Sequence, residues 1–400
     1  MENLKPLAGL KVLEMGQLIA GPFTTRILAE FGADVVKVEP PGKGDPLRDW
    51  RHIYKGSSLW WRVQSRNKKS ITVNLRSEEG QGIIRELVKD CDVVVENFKP
   101  GTLEKWGLGY EQLSEINPGL VLVRVSGYGQ DGPYKEKPGF GSIGESIGGL
   151  RYITGYPDRA PTRVGISIGD SLAALYSVIG TLMALYHRDA KGTGEGQVID
   201  VALYEAVFSL MEGSLLEYDK LGVTRERTGS SLPGVAPSNT YPCKDGKYIV
   251  IGGNGDSIYK RLMAAIGRED LAADPQFATN SGRAAQADLL DEVIGAWTQT
   301  LPFEEALAIL DEANVPAGGI YSMEDIVKDP HYEARQMIQS FKLNDEEDIK
   351  IPGIIPKMSK TPGETEWLGP ELGEHTEKVL EEWLRYDSDK IQSLKEKGAI

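Results

Sequence analysis

From Leu10 to Ser126 the chain alternates short apolar runs with amphipathic ones, and that rhythm leaves few folds open. Leu10 to Met15, Asp34 to Glu39, Ile71 to Leu75, Asp92 to Glu96 and Leu120 to Ser126 read as strands, while Pro22 to Phe31 and Glu78 to Lys89 carry helical spacing. Strands that alternate with helices pair in parallel, because each crossover returns the chain to the same end of the sheet. The fold class is α/β, and ligands are expected outside the carboxyl ends of the strands.

At 400 residues the chain exceeds what one core usually holds, so about two domains are expected. After Ser230 the composition changes, with Pro233, Gly234 and Pro237 interrupting the chain, and Tyr241 to Ile251 reads as a hairpin turning at Asp245-Gly246. The expected division is residues 1–224 for the N-terminal part of a large domain, 225–330 for a smaller α+β domain, and 331–400 for a linker and a return to the large domain. Helices are expected in that return at Glu374 to Arg385 and Ser388 to Lys397. Glycines crowd from Gly139 to Gly155, which predicts a flexible, closely approachable segment.

A net charge of −14 argues against nucleic acid or an anionic membrane as partner, since either demands a basic surface. No apolar run approaches the ~20 residues of a membrane span. The start Met1 to Pro6 has no signal-peptide core, and a cytoplasmic location is expected. Cys91 and Cys243 have no paired spacing, and the four histidines lie far apart, so no disulfide framework and no metal site is expected. Gly16 and Gly21 stand where a dinucleotide fingerprint would begin, but Gly-x-Gly-x-x-Gly is absent, which argues against a nicotinamide or flavin cofactor.

Asp170 is the candidate for chemistry. It closes the run Gly165-Ile166-Ser167-Ile168-Gly169-Asp170 and precedes Leu172, Leu175, Ile179, Leu182, Met183 and Tyr186 at helical spacing. One reading is a helix N-cap. The other adds a nucleophile, because Gly169 permits close approach and a helix N-terminus keeps a carboxylate ionised.

Several stretches, in order, resemble the class III CoA-transferase family, the group that includes formyl-CoA:oxalate transferase and carnitine CoA-transferase. They are Pro6 to Glu14, Gly32 to Glu39, Asn67 to Ile71, Val95 to Gly101, Gly127 to Pro133, Gly169-Asp170 and Leu372 to Thr376. The resemblance implies a Rossmann-like large domain, an interlocked homodimer, and Asp170 as covalent nucleophile. It implies a coenzyme A thioester as substrate, with no tightly bound cofactor. By position, CoA contacts fall on Ile19 and Ala20, on Val73, Asn74, Leu75 and Arg76, on Asn97, Phe98 and Lys99, on Lys105, and on Lys137 and Phe140. Where the family commonly has a basic residue after the second strand, this chain has Pro40, and Lys43 and Arg48 are the nearby candidates for phosphate contacts. The family's shielding glycine loop corresponds in position to Leu232 to Pro237, whereas Gly252 to Gly255 is richer in glycine.

Asn67 to Ile71, Gly127 to Pro133 and Ile153 to Gly155 look closest to dicarboxylate-handling members that use succinyl-CoA. A remote carboxylate needs its own partner, and Arg151, Arg163 and Gly234 are the candidates for acyl or acid contacts. α-Methylacyl-CoA racemases also resemble the large domain, but their histidine falls in a segment that reads Lys137-Pro138-Gly139-Phe140-Gly141-Ser142 here, without one. A third reading is a non-catalytic CoA-binding subunit of a heteromeric transferase.

Overall fold

In a computed structural model, residues 5–344 and 347–400 are described. The chain divides into two compact units, one comprising the chain up to Leu150 with Val164–Gly222 and Gln336–Ile400, the other Arg151–Arg163 with Val223–Arg335. Arg151–Arg163, expected in the large domain, groups with the second unit.

The first unit is built on six parallel strands in the order Lys68–Thr72, Asp34–Glu39, Lys11–Glu14, Val93–Glu96, Val121–Ser126, Val198–Ala202. The central strands are nearly continuous apolar runs because both faces are covered. On one face Leu13, Val36, Ile71, Val94 and Leu122 pack with Ile84 and Leu87 of the Glu78–Val88 helix. The same core takes Val379, Leu380, Ile391 and Leu394 from the returning helices Thr376–Leu384 and Ser388–Glu396. On the other face Val12, Val35, Val93 and Val121 meet Leu28 and Ala29 of the Ala20–Glu30 helix and Ala184 and Leu185 of the Ile168–Leu185 helix.

The strand expected at Ile71 to Leu75 lies three residues earlier. Its start was disguised by Lys68, whose ammonium is fully buried against Glu14 at 2.8 Å. The sixth strand, Val198–Ala202, was not expected. The helical run Ile168–Ala190 is 23 residues long and holds an 18-residue stretch of mean hydropathy 1.5, long and apolar enough to cross a membrane, against the expectation of no such run. Its small face, Ala173, Ala174, Ser177, Thr181 and Ala184, is buried, and the helix packs with that face against Ala20–Glu30 and Val121–Ser126.

In the second unit Ser238–Pro242, Tyr248–Gly252 and Ala317–Gly319 form an antiparallel sheet. The hairpin turns at Asp245-Gly246, where Gly246 takes a φ of +79° that suits glycine. Tyr241, Ile249, Ile251, Leu262, Ile294 and Leu310 form its core.

Candidate active site

Strand order reverses between Lys11–Glu14 and Val93–Glu96, and a crevice opens beyond their carboxyl ends at such a switch point. It is a pocket of about 680 Å³ lined by Met15, Gln17, Lys43, Val73, Asn74, Leu75, Arg76, Phe98, Trp106 and Gly398 among others. Phe98 and Trp106 meet edge to face with centroids 5.3 Å apart, an apolar wall suited to a flat ring. Lys43 and Arg76 are exposed cations of the lining in an acidic protein. The Arg76 N–H donates to Asn74 Oδ1 at 3.1 Å, and the Asn74 N–H donates to the Ala399 carbonyl at 2.8 Å, so the chain's last turn supports this wall.

Lys43 lines this pocket, whereas Arg48 does not. Its guanidinium donates to both oxygens of Glu39 at 2.8 and 2.7 Å and to the Pro370 carbonyl at 3.1 Å, and it stacks 3.7 Å from the Trp61 ring centroid. Arg48, expected near a phosphate, is thus engaged by Glu39 in this structure. Ile19 and Ala20 are likewise buried at the start of the Ala20–Glu30 helix and do not line this pocket.

Asn97 secures the loop after the first strand, accepting from the Gln17 N–H at 2.7 Å and donating to the Gln17 carbonyl at 2.8 Å. Lys99 is exposed and pairs with Glu136 at 3.1 Å, while Lys137 lies 3.5 Å from the Tyr134 ring centroid. Lys105 is exposed at the end of the Thr102–Lys105 helix, one residue before the lining Trp106.

Beneath the loop lies a buried ionic group. Lys37 Nζ is 2.6 Å from Glu14 Oε1 and 2.8 Å from Asp45 Oδ2. Burial opposes ionisation of Glu14, but the ammoniums of Lys37 and Lys68 overcome it and hold the carboxyl at about 2. Burial also pulls the Lys68 ammonium down to about 8 against the attraction of Glu14. A second group surrounds Arg124, whose Nε donates to Glu96 at 2.7 Å and whose Nη1 donates to Glu104 at 2.6 Å.

Asp170 is the third residue of the Ile168–Leu185 helix, with Ser167 at the cap, so it sits in the first turn and is not the N-cap. It is half-buried. Its carboxylate lies against Gly141, the first residue of the Gly141–Ile147 helix, where an added β-carbon would overlap it, 2.7 Å from the carboxyl carbon. Gly169 permits the approach, since a β-carbon there would stand 2.9 Å from the Gly141 carbonyl oxygen. The glycines from Gly139 onward, expected to form a flexible, closely approachable segment, allow close packing. Gly139 crosses Gly127 backbone to backbone, Gly144 faces Leu203, and Gly148 faces Val207. Phe140, 66% exposed, caps the Gly141–Ile147 helix and stands next to the glycine that touches Asp170.

Arg151, Arg163 and Gly234 belong to the second unit, whereas Asp170 belongs to the first. Gly234 takes a φ of +76° in an exposed turn, and its carbonyl accepts from Asn280 Nδ2 at 2.8 Å. Gly252 to Gly255 forms a strand-to-helix turn pinned on several sides. The Gly252 N–H donates to the Pro316 carbonyl, the Gly253 N–H to the Pro237 carbonyl, and buried Arg283 donates to the Asn254 carbonyl at 2.6 Å. Met15, Gln17, Thr102, Trp106 and Gly398 were missed in the sequence. The switch-point rule would have pointed to Met15 and Gln17 once the strand order was drawn. Glu145, fully buried beside Gly169, gave no signal.

Comparison with known proteins places this geometry. A succinyl-CoA:D-citramalate CoA-transferase of Chloroflexus aurantiacus is 51% identical over 397 residues, covering 99% of this chain and 98% of that protein. A succinate–glutarate CoA-transferase of Agrobacterium fabrum is 36% identical, with 96% and 97% covered. The solved structure of a CAIB/BAIF family protein from Brucella suis superposes with a TM-score of 0.82 at 36% identity, covering 95% of this chain and 99% of its own. With the model of CoA-transferase family III matching residues 7–376, the chain belongs to that family and is a CoA-transferase.

Proposed function

We propose that this enzyme moves CoA from succinyl-CoA to a free dicarboxylic acid through a covalent intermediate on Asp170. The observation that carries the reading is the ionisable carboxylate on a helix's first turn, set against a glycine of a second helix start. The relatives named for succinyl-CoA, citramalate and glutarate support the substrate class. The 680 Å³ pocket, with the Phe98–Trp106 wall and the cations Arg76 and Lys43, fits the flat base and the phosphates of CoA.

An Asp170 oxygen attacks the thioester carbonyl and the C–S bond breaks, giving a mixed anhydride and CoA thiolate. The thiolate attacks the Asp170 carbonyl carbon, which releases succinate carrying that oxygen and leaves an aspartyl-CoA thioester. The acceptor carboxylate repeats the two steps in reverse order, and Asp170 is regenerated with one oxygen from the acceptor. Each step exchanges one activated acyl group for another, so no external energy source enters. In this scheme backbone N–H groups at the start of the Gly141–Ile147 helix would stabilise developing oxyanions.

The test is oxygen transfer. With a heavy-oxygen-labelled acceptor, one turnover should place label in the peptide containing Asp170, and turnover without label there would exclude the scheme. We read the active form as a homodimer. The alternative is a paired paralogous subunit, because alpha and beta subunits of a succinyl-CoA:L-malate CoA-transferase are 37% and 41% identical to this chain. Full activity of the purified chain alone decides between them.

A further inference from the structure

We propose that Asp45 and Lys37 are positioning residues for the CoA pocket, fixing from beneath the loop that carries Gln17. The inference rests on the reading that this pocket receives CoA. Glu14, Lys37, Asp45 and Lys68 are each no more than 1% exposed, and as a set they are electrically neutral. Such groups contribute little net stability, because desolvation offsets their attraction and apolar replacements often serve as well. Their geometry points instead to the Gly16–Leu18 loop.

Lys37 presents its ammonium to three acceptors, Glu14 at 2.6 Å, Asp45 at 2.8 Å and the Gly16 carbonyl at 2.9 Å. Asp45 accepts from the Leu18 N–H at 3.0 Å, and its own N–H donates to Glu39 at 2.8 Å. Leu18 has a φ of +63°, a conformation that a leucine seldom adopts without outside restraint. Between these two holds, Asn97 binds both the N–H and the carbonyl of Gln17. The carbonyl of Gly16, both backbone groups of Gln17 and the N–H of Leu18 are therefore each tied to a side chain from another part of the sheet edge. Gln17 is the loop residue so framed, and it lines the pocket.

Asp45→Asn should release the Leu18 end of the loop and misplace Gln17, because one amide oxygen cannot accept from the Leu18 N–H, the Leu47 N–H and the Lys37 ammonium together. The experiment is a double-mutant cycle of Asp45→Asn with Gln17→Ala, read as the dissociation constant of CoA by calorimetry, with melting temperature followed in parallel. Asp45→Asn keeps the side-chain shape, and if unpairing buried Lys37 unfolds it, Asp45→Asn combined with Lys37→Met, which removes both charges of the pair, takes its place in the cycle. Asp45→Ala extends the series. Each single change should weaken CoA binding by about threefold to tenfold, and the double variant should be no weaker than the worse single one. Additive losses, or a folded Asp45→Asn protein that binds CoA like the parent, would overturn the proposal. Arg76→Ala and Trp106→Ala probe the pocket itself. If neither changes CoA binding, the site reading fails independently of the positioning argument.

Discussion

The carboxylate of Asp170 rests against the α-carbon of Gly141, two residues from helix starts that meet almost backbone to backbone. Gly141→Ala would drive a methyl group into the carboxylate. The obstructing atoms end a short side chain, so the carboxylate can swing aside and the two helices need not separate. The expected result is a fall in kcat of about a hundredfold or more from misplacing the reacting group, with a melting temperature within about 4 °C of the parent. Wild-type kcat in a folded Gly141→Ala enzyme would exclude this contact from catalysis.

Arg76 tests the CoA pocket at its rim. Its side chain is exposed and lines the pocket, so its attraction for a phosphate is partly screened by solvent. Arg76→Ala should raise KM for succinyl-CoA by about fivefold to tenfold and leave kcat nearly unchanged, as expected for uniform binding. The increase should shrink as salt is added. A change confined to the acceptor acid would place Arg76 elsewhere in the reaction.

Burial raises Glu96 to about 7, although Arg124 and the Phe98 N–H favour its ionised form. A carboxyl whose folded pKa exceeds its unfolded value holds protons more tightly in the folded state. Its contribution to stability is complete below the unfolded range and is lost as pH rises from about 4 through about 7. Glu96→Gln removes that titration. The stability difference between parent and variant should therefore change by on the order of 2 kcal/mol between about pH 4.5 and about pH 7.5, with the parent losing ground as pH rises. Urea unfolding at both pH values measures it, and a constant difference would show that Glu96 does not titrate in that window.

The sheet's central strands and the returning C-terminal helices were legible because apolar periodicity reports burial directly. Lys68 and Val198 mark where that signal stops. Lys68 is a strand residue with a buried charge, tolerated because Glu14, two strands along the sheet, lies 2.8 Å away, a pairing that no local pattern encodes. Val198–Ala202 is an edge strand that begins with an exposed valine and carries Asp200, whose carboxylate accepts from the Gln130 N–H. Asp170 stood out because a carboxylate after a glycine at a helix start is conspicuous. Gly141 did not, since its role depends on a helix crossing rather than on its neighbours in sequence. Arg48 misled for the opposite reason, as a basic residue in the right stretch whose charge is already matched by Glu39.

The Ile168–Leu185 helix is apolar on both sides, and among the described residues its small-residue side is the one that is covered. Leu175, Ile179, Leu182 and Met183 are 42% to 68% exposed, and Tyr186 continues the same face at 60%. Their spacing of four, three and four residues makes one continuous stripe. Nearby in sequence, the Ser214–Leu221 helix buries none of its residues, and Leu216 and Leu221 are 65% and 74% exposed. Apolar stripes of this size on a folded surface are normally covered by a partner, and a second copy of the chain is the partner we propose. Light scattering at micromolar concentration should give twice the chain mass of 43.8 kDa. Replacing Leu182 and Met183 together by Glu places two charges on that stripe and should yield monomers or misfolded protein. A parent enzyme that scatters as a monomer, or a double variant that remains a stable dimer, would rule this face out as the interface.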